Sequence, residues 1–98
     1  MVKNITKIFD ILSQEMEYLR KEYKVDKIGI FGSYSRNEMS SKSDIDILVE
    51  FKEVIGLFKF VELEHYLSEK LGIKVDLVTK NALRKEIKDN VLQDLVYA

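Results

Sequence analysis

The segment Gly32-Ser33, followed after ten residues by Asp44-Ile45-Asp46, constrains this chain more than any other feature. Ile28-Gly29-Ile30-Phe31 reads as a short apolar strand running into a tight turn at Gly32-Ser33. Asp44-Ile45-Asp46-Ile47-Leu48-Val49-Glu50-Phe51 reads as a second strand. Side chains two residues apart on a strand share a face. Asp44 and Asp46 therefore stand side by side, while Ile45, Ile47, Val49 and Phe51 turn the other way into a core. Adjacent carboxylates repel unless a cation lies between them. Hard oxygen ligands of this kind suit Mg²⁺, which is held by one or two carboxylates together with substrate phosphates.

The Gly-Ser turn supplies the other half of a site. Glycine lets the backbone approach a ligand closely and take unusual φ/ψ values. Exposed N–H groups in such a turn form an anion-binding concavity, to which a serine hydroxyl adds a donor. A phosphate cradle beside a carboxylate pair points to a metal–nucleotide site.

The remaining elements follow from apolar spacing. Ile5, Ile8, Phe9, Leu12, Met16, Leu19 and Tyr23 recur every three or four residues and predict a helix over 3–23. Strand one spans 27–32. Residues 33–43 are polar and read as a loop or short helical turn. Leu57, Phe60, Leu63, Leu67 and Leu71 predict a second helix, which Gly72 is placed to end. Strand three covers 73–78, and Asn81 is placed to cap a last helix carrying Leu83, Ile87, Val91 and Leu95. The order α-β-β-α-β-α, without repeat or linker, predicts a single domain over 1–98. Its class is α/β of the two-layer α+β kind: a small mixed sheet with helices on one face and the carboxylates on the other.

A third carboxylate joins by the same parity. In Ile73-Lys74-Val75-Asp76-Leu77-Val78, Ile73, Val75 and Leu77 share the core face, so Asp76 faces the Asp44/Asp46 side. If strands two and three pair, Asp76 lies across from that pair at about 5 Å. Asp44, Asp46 and Asp76 could then ring two metal ions in the arrangement used for phosphoryl transfer. Asp76 would touch one ion only and could receive the nucleophile's proton.

Composition narrows the alternatives. With 16 basic and 17 acidic residues the net charge is −1, which gives no bulk drive toward nucleic acid. There is no cysteine, hence no disulfide or thiolate metal site. No apolar run reaches the roughly 18 residues of a membrane span, and the first residues show no signal-peptide pattern. A cytoplasmic protein is expected. Lys42 and Lys74 read as surface lysines, His65 as an exposed helix residue, and Tyr34 as packing within the site loop.

Gly32-Ser33, Asp44-x-Asp46 and Val75-Asp76-Leu77-Val78 together resemble the nucleotidyltransferase superfamily of the DNA polymerase β palm type. In length, and in the run GSYSRNEMSSKSDIDILVEF, the chain resembles the minimal (MNT or MntA-like) nucleotidyltransferases. The resemblance implies a palm-like fold and transfer of AMP from ATP, with Mg²⁺, to a tyrosine of a helical HEPN-domain toxin, for which the chain is the antitoxin. It further implies that Gly32 and Ser33 hold the triphosphate, that Asp44 and Asp46 bind both metals, and that Asp76 binds the catalytic one. Arg36 matches the arginine of the family's GSxxRG segment, where it supports the phosphates or the loop; Asn37 replaces the glycine that usually follows. The chain has no room for a substrate domain, so the acceptor would be the partner, or be bound by another subunit. The readings set against this are transfer to RNA 3′ ends or to a small-molecule hydroxyl, and an antitoxin that acts by binding alone.

Overall fold

The computed structural model describes residues 4–36, 38 and 44–98. Readings of Asn37, Lys42 and the rest of the 39–43 segment lie outside the described residues. Helix α1 (Ile5–Tyr23) starts where the Asn4 side chain accepts the Lys7 N–H at 2.9 Å, satisfying one of the unpaired donors of the first turn. Its Ile8, Leu12, Met16, Leu19 and Tyr23 are buried, the face anticipated from their spacing. Strands β1 (Val25–Phe31) and β2 (Ile45–Phe51), helix α2 (Leu57–Leu71) and strand β3 (Val75–Thr79) follow. A 3₁₀ turn (Lys80–Ala82), helix α3 (Lys85–Asp94) and a two-residue strand β4 (Val96–Tyr97) complete the chain.

The sheet order is β3-β2-β1-β4. β1 is antiparallel to both β2 and β4, whereas β2 and β3 are parallel, with α2 as their crossover. Helices α1 and α2 cover one face. Ile28, Ile30, Ile45, Ile47, Val49, Val75 and Leu77 pack there against Leu12, Leu19, Leu63, Leu67 and Leu71 in one apolar cluster. This is the α+β architecture; the order α-β-β-α-β-α read from the sequence is present, with a further short strand, β4, added after the last helix.

Three features lie beyond that reading. Leu48 shares the Asp46 face of β2 by strand alternation, yet it is fully buried and stands outside the main cluster, as does Val91 of α3. Gly29, paired with Leu48, would carry a Cβ only 2.7 Å from Leu95 Cδ1. The C-terminal end of α3 therefore lies on the carboxylate side of the sheet, over Gly29 and Leu48, and not with α1 and α2 as expected. The helix also begins later than Asn81. Leu83 adopts an extended backbone (φ −71°, ψ 132°) and Arg84 takes the N-cap position, so the apolar spacing runs through a break. β4 pairs with β1 through Gly29 and Ile30 and protects that sheet edge.

The opposite edge strand, β3, is held by side chains of α2. Ser68 Oγ accepts the Val75 N–H and Glu64 Oε2 accepts the Leu77 N–H, each at 2.9 Å. These two residues flank Asp76, so α2 fixes the strand segment that presents it.

Candidate active site

Register brings the carboxylates together. Asp46 of β2 is paired directly with Asp76 of β3 and, on its other side, with Phe31 of β1. Asp44 stands just before β2; its side chain is half exposed, with Lys74 Nζ 4.0 Å away. A contact of that length at the surface is weak, so Asp44 can turn toward a ligand at little cost. Among the described residues no three acidic or imidazole side chains already close on a single point. Asp46 and Asp76 form a fixed pair on the sheet, and Asp44 is the adjustable third member.

Gly32 places the turn against this pair. Its φ of +76° is a left-handed value that side chains disfavour. A Cβ at this position would also overlap Asp46 Oδ2. The turn folds back on itself as the Arg36 N–H donates to the Gly32 carbonyl at 3.1 Å and the Glu38 N–H donates to the Ser33 carbonyl at 2.8 Å. Tyr34, in the middle of the turn, is 2% exposed and packs in the main core. It is a packing residue, as read from the sequence, and it fixes the turn from below.

The electrostatics are those of a site short of positive charge. Burial first, then the neighbouring Asp76 and Asp44, push the Asp46 carboxyl above its ordinary range, while Arg36 pulls it back. A divalent cation at these carboxylates would offset both the desolvation and the repulsion, so the donor set fits Mg²⁺. Arg36 lies close enough to act on Asp46, but its guanidinium is engaged elsewhere. It donates through Nη1 to Asp94 Oδ2 at 2.6 Å and through Nε to Glu38 Oε2 at 3.4 Å.

Of the residues singled out from the sequence, Gly32, Asp46, Asp76, Asp44 and Arg36 therefore meet at one end of the sheet, with Ser33 in the adjoining turn. His65 is an exposed residue of α2, as anticipated. Sequence reasoning missed Glu64, Ser68 and Asp94. The first two flank the apolar stripe of α2 at a spacing of four, a pattern that also fits ordinary solvated positions. Asp94 lies 58 residues from Arg36, and no local signal joins them.

The chain has clear relatives among known proteins. The nucleotidyltransferase domain family profile matches residues 12–98. A Methanocaldococcus jannaschii protein assigned as a protein adenylyltransferase is 55% identical over 98% of this chain and 99% of its own. The protein adenylyltransferase MntA of Thermococcus cleftensis is 46% identical over 95% of this chain and 94% of its own. Among solved structures, a chain of a toxin–antitoxin crystal structure with AMP-PNP superposes at TM-score 0.72 and 28% identity, covering 87% of this chain and 69% of that one. The complex of a tri-AMPylated Shewanella oneidensis HEPN toxin with its MNT antitoxin gives 0.66 at 25% identity, covering 92% and 70%.

Proposed function

The chain belongs to the nucleotidyltransferase domain family, and we propose that it transfers AMP from ATP to a tyrosine hydroxyl of a helical HEPN-type partner, for which it is the antitoxin. The observation that carries this reading is the abutment of the Gly32 turn on Asp46, itself paired with Asp76. The Gly32 turn and a carboxylate pair thus lie together at one end of the sheet, the juxtaposition a phosphate- and metal-binding site needs. The curated relatives named as protein adenylyltransferases, and the AMPylated HEPN toxin bound by a similar chain, support the acceptor class.

The residues divide the work. The N–H groups at Gly32 and Ser33 and the Ser33 hydroxyl hold the triphosphate. Asp44 and Asp46 would hold Mg²⁺ in common, and Asp76 would complete the ligand set on the acceptor side. When bound, the metal neutralises the triphosphate and lowers the pKa of the attacking hydroxyl. The acceptor oxygen attacks the α-phosphorus, the bond from that phosphorus to the bridging oxygen breaks, and pyrophosphate leaves. The Asp76 carboxylate accepts the hydroxyl proton. Arg36, paired with Asp94 and Glu38 and within electrostatic reach of Asp46, supports the turn and offsets phosphate charge.

The reading is tested with ATP labelled at either the α- or the γ-phosphate, Mg²⁺, and three acceptors offered in parallel: the HEPN-type partner, an RNA with a free 3′ end, and a small polyol. Label from the α-position on a partner tyrosine, with none from the γ-position, is the expected result. Label on the RNA or the polyol alone would replace the acceptor. Silencing of the partner with no label transferred would make the chain a binding-only antitoxin.

A further inference from the structure

The turn that carries Gly32 and Ser33 is tied to the far end of the chain at one residue. Asp94, the last residue of α3, accepts twice from it: its backbone carbonyl takes the Ser35 hydroxyl, and its carboxylate takes Arg36 Nη1 at 2.6 Å. The two contacts differ in burial. The Ser35 bond is partly buried, whereas the Arg36 side chain is 44% exposed and that of Asp94 26% exposed.

We propose that Asp94 is a positioning residue for nucleotide binding: it clamps the Gly32–Arg36 turn onto α3, so that the turn's N–H groups and the Arg36 guanidinium already stand where the triphosphate arrives. This inference rests on the nucleotidyltransferase reading and adds to it a residue far away in sequence. Three points on the turn are fixed at once. Gly32 is held by the Phe31–Asp46 strand pairing that immediately precedes it, Tyr34 by burial in the core, and Ser35-Arg36 by Asp94. Without the third, the contacts of the C-terminal half of the turn among the described residues run to the turn itself and to Glu38. A turn organised before binding spends less of its interaction free energy on ordering itself. Arg36 also has a fixed planar fork, suited to phosphate oxygens once it is oriented. A carboxylate at 94 orients that fork without filling the phosphate site.

The substitution Asp94→Asn isolates the charge contact, because the carbonyl that takes Ser35 remains. Mg-ATP binding is measured by calorimetry and transfer to the partner by label, together with thermal melting. The expected result is a dissociation constant raised about fivefold, the scale of a partly exposed charge-assisted pair. The turnover at saturating Mg-ATP should stay unchanged, and the melting temperature should fall by a few degrees at most. Asp94→Glu should restore binding. In an Arg36→Gln background, Asp94→Asn should add nothing, because it acts through Arg36. Unchanged Mg-ATP affinity in Asp94→Asn, with wild-type binding intact, would overturn the clamp alone. Additive losses in the double variant, or lower turnover with affinity unchanged, would overturn it too. A wild-type chain that binds no Mg-ATP would overturn the nucleotidyltransferase reading beneath it.

Discussion

Gly32 and Asp46 approach so closely that a methyl group on the first would overlap the carboxylate of the second. The pairing of Phe31 with Asp46 sets this contact, because Gly32 is the first residue past the β1–β2 ladder. Gly32→Ala therefore meets two obstacles, a left-handed φ of +76° and a steric overlap. Left-handed backbone at a non-glycine residue costs roughly 1–2 kcal/mol. The overlap is relieved most cheaply by turning the Asp46 side chain. The variant should melt lower and should also lose Mg-ATP binding, the latter separating site distortion from simple destabilisation.

Asp46 gives the site a characteristic pH dependence. Its carboxyl is raised, chiefly by burial and then by Asp76 and Asp44. The folded chain thus keeps this proton at pH values where the unfolded chain has lost it. The sign follows: the group's contribution to stability falls as pH rises from the ordinary aspartate range through the raised folded value. Asp46→Asn cannot ionise, so without divalent metal it should melt higher than wild type above that window. The advantage should shrink as pH falls below it. Mg²⁺ should raise the melting temperature of wild type and not of the variant. A melting difference that stays constant with pH would contradict this assignment of charge.

Asp76 should separate binding from chemistry. Asp76→Asn keeps Asp44 and Asp46 for the triphosphate-bound metal but loses the carboxylate that takes the proton. Mg-ATP affinity should stay near the wild-type value. Transfer should fall on the order of 10²–10⁴-fold, the usual scale for loss of a positioned base. Equal losses in affinity and rate would instead place Asp76 in nucleotide binding.

Ser68 accepts the Val75 N–H beside Asp76 and at the same time donates to the Glu64 carbonyl, both at 2.9 Å. Ser68→Ala leaves a strand-edge donor without that acceptor and should cost about 1 kcal/mol. Hydrogen exchange should rise at Val75 and Leu77 and not in β1. Transfer should fall more than Mg-ATP affinity, because it is Asp76 that is loosened.

Much of this was legible in the sequence, for reasons visible in particular residues. Parity placed Asp44, Asp46 and Asp76 on one side because Ile45, Ile47, Val75 and Leu77 are unambiguous core residues. Gly32 stood out because a turn glycine after an apolar strand has few other uses. The position of α3 was also signalled but not read. Ile47-Leu48-Val49 is a continuous apolar run, the mark of a strand buried on both faces, and Leu48 needs a cover on the carboxylate side. β4 was not legible, since two residues carry no periodicity. The Asp94 contacts join residues 58 and 59 positions apart and exist only once α3 has crossed the sheet.

Label transfer from α-labelled ATP to the HEPN-type partner, with Mg²⁺, is to be compared between wild type and Asp46→Asn, each shown to be folded by melting. Wild type should transfer label only with the divalent ion present, and the variant should transfer at background. Transfer at the wild-type rate by folded Asp46→Asn would show that the Gly32–Asp46–Asp76 constellation is not where the chemistry occurs.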